Sequence, residues 1–308
     1  GERALNALGD RDTTEVILNP DGKLWVETRS KGMFLVDESV NSAQAENLIS
    51  AVASICGAVC NANNPILECE LPFDGSRFEG LLPPVSEAPA FVIRKRATTL
   101  YKLEDYVKAK ICKPWHVELI KHAIKAKKNV LIAGGTGSGK TTLVNAILWQ
   151  MSKLTSQEER FITLEDTYEL QCFAPNTLEL HTTDEIDLLS LTRATMRLRP
   201  DRIIVGEVRG REAHALLKIW NTGHPGGVTT IHADSALRAL YRLDMLIQEA
   251  GVPSQKKIIG DTISIVLFIK RCDHGRVIDE AIMIQGFNEL TNSFDYITLN
   301  ENNIGSIL

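Results

Sequence analysis

The sequence lacks several features that particular classes of protein require. Its six cysteines, at positions 56, 60, 69, 112, 172 and 272, form no CxxC pair and no zinc ladder. We therefore expect reduced, mostly packed thiols in a cytosolic protein. The longest apolar stretch, residues 263–269, contains Ser264 and is far too short to cross a bilayer. Since no secretory signal opens the sequence, we expect a soluble protein with at most a peripheral membrane contact.

Aromatic residues and excess positive charge are also scarce. Aromatic side chains make up 6% of the 308 residues, and the formal net charge is −5. A nucleic-acid motor needs a basic channel and aromatic platforms for the bases, so we expect no direct sequence-specific binding of nucleic acid. The apolar content of 44% is that of an ordinary globular protein, and the length fits one large domain or two ordinary ones.

The first part of the chain predicts a small α+β domain over residues 1–98. Short β-like runs alternate with turns there, and the pair Asp21-Gly22 between two apolar runs predicts a hairpin. One helix interrupts these runs, with apolar residues at helical spacing between Ala45 and Cys56 behind a cap at Ser42.

A basic stretch follows this domain. Residues 91–128 contain eleven Lys or Arg and three acidic residues. We interpret residues 99–115 as a basic linker, ending near Lys113-Pro114 because the residue before a proline is disfavoured in a helix. Two interpretations stay open: a solvated helix face, or a surface that meets a phosphate, an acidic neighbouring subunit or anionic lipid.

From residue 116 to residue 308 the pattern predicts an α/β domain. Short runs rich in β-branched residues, at 129–133, 161–164, 202–205, 228–231 and 263–269, are mostly separated by helical patterns. This alternation is typical of βαβ units around a mainly parallel sheet. The polar C-terminal tail from Asn288 is rich in asparagine, and we expect it to fray.

A phosphate loop lies between the first of these strands and the helix after it. Residues 134–141, GGTGSGKT, match the pattern GxxxxGK[ST]. Glycines let backbone N–H groups surround phosphate oxygens, and the helix N-terminus adds positive potential. We expect Lys140 to reach the β- and γ-phosphates and Thr141 to bind Mg²⁺. The predicted nucleotide-binding residues of the loop are Gly135, Thr136, Gly137, Ser138, Gly139, Lys140, Thr141 and Thr142, and the loop by itself suits ATP and GTP equally.

Carboxylates follow two of the predicted strands. Glu165 and Glu169 come after one strand and Glu207 after another. The carboxyl ends of parallel strands face the ligand crevice. We therefore predict Glu165 and Glu207 as metal ligands, Glu207 as the first choice for activating water, and Glu169 as a further catalytic carboxylate. The simpler interpretation for each is a solvated acidic side chain at a strand end.

A histidine and several arginines complete the candidate site. His232 follows residues 228–231 and should emerge at the same sheet edge as Glu207, where an imidazole can sense the γ-phosphate. Two other interpretations stay open for His224 and His232: zinc ligands, or structural, hydrogen-bonded side chains. Arg193, Arg197 and Arg209 suit either surface salt bridges or an arginine that faces a neighbour's γ-phosphate.

Four motifs in this order resemble the secretion (traffic) ATPase superfamily of type II and type IV secretion, pilus motors and conjugation. They are GGTGSGKTT (134–142), ITLEDTYELQ (162–171), RPDRIIVGEVRG (199–210) and TGHPGGVTTIHA (222–233). The EDT and ELQ elements, the short N-terminal domain and the absence of a tetracysteine module resemble the type IV secretion and conjugal-transfer branch, of the TrbB type.

The resemblance implies a RecA-like P-loop ATPase core after the N-terminal domain, with ATP and Mg²⁺ as ligands. It implies a homo-hexameric ring, cytoplasmic and peripheral on the inner membrane, docked on the membrane proteins of the secretion or conjugation apparatus. It also implies that nucleotide sits between the two domains and that N-terminal arginines reach its phosphates. Arg77, Arg94 and Arg96 occupy the matching stretches.

Three other classes of protein also use a phosphate loop of this kind. A nucleic-acid translocase or helicase-like P-loop motor shares the core fold and is the main alternative. An ATP-binding cassette would need an LSGGQ-like signature and an Asp-Glu strand end, which this sequence lacks. A scaffold that binds ATP without hydrolysis would need no carboxylate at the position of Glu207. The sequence favours an ATPase ring motor.

Overall fold

The computed structural model describes residues 2–10, 12–95, 100–183, 185–273 and 275–307. The chain divides into two compact units, Gly1–Thr99 and Leu100–Leu308. No helix within the described ranges has both the length and the apolar character needed to cross a bilayer.

The first unit is an antiparallel sheet with a helix packed on it. Its strands are β1 (Thr13–Leu18), β2 (Lys23–Thr28), β3 (Gly32–Ser39), β4 (Ile66–Glu70), β5 (Arg77–Leu81) and β6 (Ala90–Arg94), and its helices are α1 (Glu2–Gly9) and α2 (Ser42–Ile55). The strand order is β3-β2-β1-β6-β5-β4. Alternate residues such as Val16 and Leu18 point inward and pack against Ile49 and Val52 of α2.

Local hydrogen bonds determine where two elements of this unit begin. Gly22 has a φ of 77°, as the predicted hairpin turn requires. Helix α2 is capped by Asn41 rather than by Ser42. The Asn41 Oδ1 accepts the Gln44 N–H at 2.9 Å, and the Gln44 Oε1 accepts the Asn41 N–H at 3.1 Å. This reciprocal pair is a capping box, which the pattern at Ser42 did not reveal.

The second unit is built on a mainly parallel eight-stranded sheet. Its strands are β7 (Val130–Ala133), β8 (Phe161–Glu165), β9 (Thr177–His181), β10 (Arg202–Val205), β11 (Val228–Ile231), β12 (Ile265–Cys272), β13 (Gly275–Asn288) and β14 (Ser293–Thr298). The order is β14-β13-β12-β7-β11-β10-β8-β9, and the pairs β12–β13 and β13–β14 are antiparallel, whereas the other pairs are parallel.

Helices cover both faces of this sheet. They are α3 (Leu103–Lys108), α4 (Pro114–Lys125), α5 (Lys140–Leu154), α6 (Leu188–Thr195), α7 (Glu212–Asn221), α8 (Ala236–Glu249) and α9 (Lys256–Thr262). Two apolar clusters, one with Ile147 and Ile204 and the other with Leu217 and Val205, fill the space between sheet and helices. The central strands are buried on both faces, as expected of a parallel sheet. The prediction of a RecA-like α/β core preceded by an α+β domain is confirmed.

The basic stretch at 99–115, which we predicted as a linker, contributes to the core of the second unit. Leu103 and Tyr106 lie three residues apart on α3, and both are buried together with Cys112. The Ile278 N–H donates to the Ile111 carbonyl at 2.8 Å and ties the stretch to β13. Apolar residues on one face of a short helix hold this segment against the domain, while its lysines remain outside.

Residues 288–307 are ordered, contrary to the expectation of a frayed tail. Strands β13 and β14 pair from Ile282 to Asn288, and Leu299 and Ile304 are buried. The Asn288 Oδ1 accepts the N–H groups of Leu290 and Thr291 at 3.0 and 3.2 Å. The asparagines of this region form turns, and their abundance is therefore not a sign of disorder.

Candidate active site

The phosphate loop connects β7 to α5 at the carboxyl edge of the parallel sheet. Gly137 and Gly139 have φ values of 65° and 95°, a region that favours glycine. Ser138 is buried and its Oγ has no hydrogen-bond partner among the described residues. A buried hydroxyl left unpaired inside a loop of this shape fits an oxyanion ligand.

Lys140, in the first turn of α5, is held inside the loop. Its side chain is buried, and its Nζ donates to the carbonyls of Gly134 and Gly135 at 3.0 Å each. The same Nζ lies 3.3 Å from the Nδ1 atom of His232. These contacts fix the ammonium group beside the loop, at the position predicted for a phosphate contact.

Glu207 and His232 come together at this edge, from the ends of β10 and β11. The His232 Nε2 lies 2.9 Å from the Glu207 Oε1. The Arg209 Nη2 and Nε donate to the Glu207 Oε2 at 2.6 and 2.9 Å. The Arg209 Nη1 also donates to an oxygen of Asp166 at 3.2 Å. Arg209 thus orients the Glu207 carboxylate through Oε2, while Oε1 is buried and accepts no hydrogen bond from the described residues, and only 14% of the side chain is exposed.

The surroundings of His232 favour its neutral imidazole. Partial burial lowers the pKa of its imidazole below the usual value, and the neighbouring Lys140 and Arg209 lower it further, while Glu207 acts in the opposite direction. A neutral imidazole between Lys140 and Glu207 has one N–H to donate and one lone pair to accept. His232 therefore lies within contact distance of both charged groups, at 3.3 Å from Lys140 and 2.9 Å from Glu207.

The acidic motif after β8 is built around Glu165. This carboxylate is buried, and its Oε1 accepts the N–H groups of Glu169 and Leu170 at 3.0 and 2.8 Å. Asn145 of α5 holds the same turn, because its Nδ2 donates to the Glu169 carbonyl and its Oδ1 accepts the Gln171 N–H, both at 2.9 Å. Glu165, predicted as a metal ligand, is engaged with backbone groups and shapes the loop that carries Glu169.

Within the described residues, no group of three or more His, Cys, Asp and Glu side chains could hold a metal ion. The two histidines weighed as a zinc pair lie at opposite ends of β11, because His224 precedes the strand and His232 follows it. The donors at the phosphate loop are the Thr141 hydroxyl and the Glu207 carboxylate. This sparse set fits Mg²⁺, which keeps several waters and binds chiefly through the phosphates of a nucleotide.

The N-terminal arginines lie in the antiparallel sheet of the first unit. Arg77 of β5 and Arg94 of β6 are directly opposite each other in the strand register. The Arg94 Nε lies 3.8 Å from a carboxylate oxygen of Glu15. Arg96 falls outside the described residues. Arg77 and Arg94 are therefore cross-strand neighbours in this sheet, with Glu15 beside Arg94.

The core arginines are separated by the fold. Arg209 contacts Glu207, whereas Arg193 of α6 and Arg197 beyond it are exposed. Arg193 lines a cavity of about 710 Å³ with Met196, Arg211 and Lys218. Of these three arginines, Arg209 is the one that hydrogen-bonds to Glu207 in the described structure.

Sequence reasoning missed Arg276 at this site. Its Nε and Nη2 both donate to the carbonyl of Gly137, at 3.3 Å each. It lies 139 residues beyond that glycine, at the start of β13. No local pattern around Arg276 indicates the contact, because only the pairing of β12 with β7 brings the hairpin beside the loop.

Comparisons with known proteins match this architecture. The family model for type II/IV secretion system proteins matches residues 2–294. The conjugal transfer protein TrbB of Rhizobium radiobacter is 46% identical over 93% of this chain and 88% of its own. The probable conjugal transfer protein TrbB of Sinorhizobium fredii is 44% identical over the same shares. The structure of the Legionella pneumophila ATPase DotB aligns with a TM-score of 0.64 at 22% identity, over 99% of this chain and 82% of that chain.

Proposed function

We propose that Glu207 is the general base for ATP hydrolysis in this chain, which belongs to the type II/IV secretion system protein family. Within that family the chain is a secretion ATPase of the type IV and conjugal-transfer kind. The observation that carries this proposal is the series of contacts from Lys140 through His232 to Glu207 at the phosphate loop. In this series, His232 lies between Lys140, which contacts the phosphates, and Glu207, which activates water.

Each side chain has a separate task in the proposed reaction. Lys140 balances the charge on the β- and γ-phosphates. Glu207 accepts a proton from the attacking water as the oxygen of that water bonds to the γ-phosphorus and the bond to the leaving ADP oxygen breaks. His232 senses the γ-phosphate and links it to Glu207. Glu169 is the second catalytic carboxylate, on the loop that Glu165 shapes.

We assign Mg²⁺ to Thr141 and Glu207. When bound, the ion neutralises developing charge on the phosphate oxygens. Thr141 holds its hydroxyl in the first turn of α5, beside the loop glycines. Glu165 is omitted from this ligand set because one of its oxygens already accepts two backbone N–H groups.

The proposal includes the assembly implied by the family. The ring is a homo-hexamer, cytoplasmic and peripheral on the inner membrane, docked on the membrane proteins of a type IV secretion or conjugation channel. Arg77, Arg94 and Arg96 of the first unit supply positive charge to the phosphates. The register that pairs Arg77 with Arg94 supports this role for the first two. Family membership favours this function over a nucleic-acid translocase.

Glu207→Gln tests the chemical step. The variant keeps the shape and one carbonyl oxygen but cannot act as a base, so ATP turnover should fall at least about a hundredfold with little change in ATP affinity. Glu169→Gln is the matched comparison on the neighbouring loop. Lys140→Ala should lose affinity as well as turnover, because it removes a phosphate contact. A larger loss for Glu169→Gln than for Glu207→Gln would reverse the two roles.

A further inference from the structure

Two arginines face each other on the hairpin of β12 and β13. Arg271 and Arg276 are directly opposite in the antiparallel register, so both side chains leave the same face of the hairpin. We call these two residues the arginine pair. The preceding residue, Lys270, forms an ion pair with Asp279 at 2.8 Å, and its side chain leaves the opposite face.

The arginine pair lies against the phosphate loop. The Arg271 Cζ is 3.6 Å from the point where a Cβ on Gly137 would lie, and the Arg276 Cδ is 3.0 Å from the corresponding point on Gly139. The Arg276 Nε and Nη2 also donate to the Gly137 carbonyl. Both guanidinium groups therefore border the glycines that surround a bound phosphate chain.

The topology determines which part of a nucleotide these guanidinium groups can reach. Strand β7, which leads into the loop, lies between β12 and β11. Glu207 and His232 approach the loop from the side of β10 and β11, where the γ-phosphate must lie for hydrolysis. The arginine pair approaches from the opposite side. It therefore borders the α- and β-phosphates, which ATP and ADP share.

The electrostatics also favour an anion at this position. Two guanidinium groups directly opposite on paired strands repel each other, and an anion that contacts both lowers that repulsion. The Arg276 side chain is exposed and two of its N–H groups donate to the Gly137 carbonyl, so its other N–H groups can donate to such an anion. Arginine forms charge-assisted, often bidentate hydrogen bonds with phosphate, which suits two guanidinium groups at one loop.

We propose that Arg271 and Arg276 bind the α- and β-phosphates of the nucleotide and hold ADP and ATP equally, without a part in the chemical step. This inference rests on the proposed ATPase function and adds a subsite to it. The class of ligand is a nucleoside diphosphate or triphosphate, with inorganic phosphate bound far more weakly. The arginine pair thus contributes affinity, whereas Lys140 and Glu207 act at the γ-phosphate.

Calorimetric titration of the full chain with ADP and Mg²⁺ tests the proposal. Arg271→Gln and Arg276→Gln should each raise the Kd for ADP about ten- to a hundredfold, the range for losing a charge-assisted hydrogen bond. The Kd for a non-hydrolysable ATP analogue should rise by the same factor, and kcat at saturating ATP should stay within about threefold. Lys270→Gln is the matched control, with the same charge change on the same hairpin, and should bind ADP as the parent does.

Two further readouts separate binding from a structural role. The Kd for ADP should depend less on salt in the Gln variants, because each has lost a phosphate contact. Arg271→Lys and Arg276→Lys keep the positive charge but lose the planar guanidinium that binds phosphate with two parallel hydrogen bonds. Their Kd values for ADP should lie between those of the parent and the Gln variants. If a Gln variant does not fold, judged by its melting curve, the Lys variants carry the test.

Three results would overturn the proposal. In the first, the Gln variants bind ADP as tightly as Lys270→Gln. In the second, kcat falls while the Kd for ADP is unchanged, which would place the arginines at the γ-phosphate. In the third, the salt dependence of ADP binding is unchanged, which would reduce them to supports of the loop. Failure of the parent chain itself to bind ADP would instead remove the proposed ATPase function.

Discussion

At the scale of single residues, burial changes the pKa of the Glu165 carboxyl, which the sequence motif alone does not reveal. In the sequence it is one of several acids after a strand, and a metal ligand is the natural interpretation. In the structure its side chain is buried, and desolvation raises its pKa to about 7, while the N–H groups of Leu170 and Glu169 act in the opposite direction. Glu165 is therefore half protonated near neutral pH.

This pKa predicts how the stability of the protein depends on pH. A carboxyl whose folded pKa lies above its unfolded value binds its proton more tightly in the folded state. Its stabilising contribution is complete below about pH 4.5 and is lost as the pH rises through about 7. Glu165→Gln mimics the protonated form, so it should exceed the parent in unfolding free energy by less than about 1 kcal/mol at pH 5 and by about 3 kcal/mol at pH 8.

Urea denaturation at pH 5 and pH 8 measures this difference. Glu46→Gln, a change of the same kind at an exposed position on α2, is the control and should show no such pH dependence. An equal effect of Glu165→Gln at both pH values would show that the carboxyl titrates normally in the folded protein.

At the scale of elements, strand β11 runs through the motif TGHPGGVTTIHA (222–233), so the residues before and after the strand lie at opposite edges of the sheet. His232 follows the strand and reaches the catalytic edge, whereas the turn before the strand is anchored at the far edge. There the Asn129 Oδ1 accepts the N–H groups of Gly226 and Gly227 at 2.7 and 3.1 Å, and Arg202 donates to the Gly226 carbonyl at 3.0 Å. The glycines of the motif therefore secure the strand, and they do not touch the phosphate loop.

A substitution at Gly227 tests the close packing at the start of β11. A Cβ there would overlap both the Ile203 carbonyl and the Trp220 Nε1, which donates to that same carbonyl at 3.1 Å. Gly227→Ala should therefore lower the unfolding free energy by about 3 kcal/mol, at the upper end for overpacking. Chemical denaturation measures the loss. Gly305→Ala, where nothing lies within 4 Å of the added Cβ, is the control, and equal stability of the two variants would contradict this packing.

At the scale of the whole molecule, the boundary between the units decides which fragment can fold. The second unit begins at Leu100, so a fragment that starts near Trp115 would lose Leu103, Tyr106 and Cys112 from the core. Removing buried apolar side chains costs roughly 2–5 kcal/mol each. We expect fragment 100–308 to fold cooperatively and bind ATP, and fragment 115–308 to melt at a markedly lower temperature.

The longer fragment also tests the role of the first unit. If Arg77 and Arg94 supply charge to the phosphates, fragment 100–308 should bind ATP but hydrolyse it poorly, since an inserted arginine is worth about 10³–10⁵ in rate. Arg77→Ala and Arg94→Ala in the full chain should reduce turnover without changing the mass of the assembly in solution. Full turnover by the fragment would transfer the role to Arg193, Arg197 or Arg209.

The sequence by itself determined the class of fold and the centre of the site. The glycines of the phosphate loop need positive φ angles, and the alternation of short apolar strands with amphipathic helices allows little but a parallel sheet. Glu207 and His232 could be paired from the sequence, because both follow buried strands and parallel strands end at one edge. These features depend on short-range patterns that the order of residues displays directly.

The tertiary structure alone decided what depends on distant contacts. The support that Glu165 gives to its loop comes from burial and from two backbone N–H groups that bond to one of its oxygens, and neither is visible in a string of acids. Arg276 joined the phosphate loop because β12 pairs with β7 across more than a hundred residues. The asparagine-rich end became a strand pair because β13 offered it an edge. Strand pairing and burial are properties of the whole sheet, and local sequence patterns do not encode them.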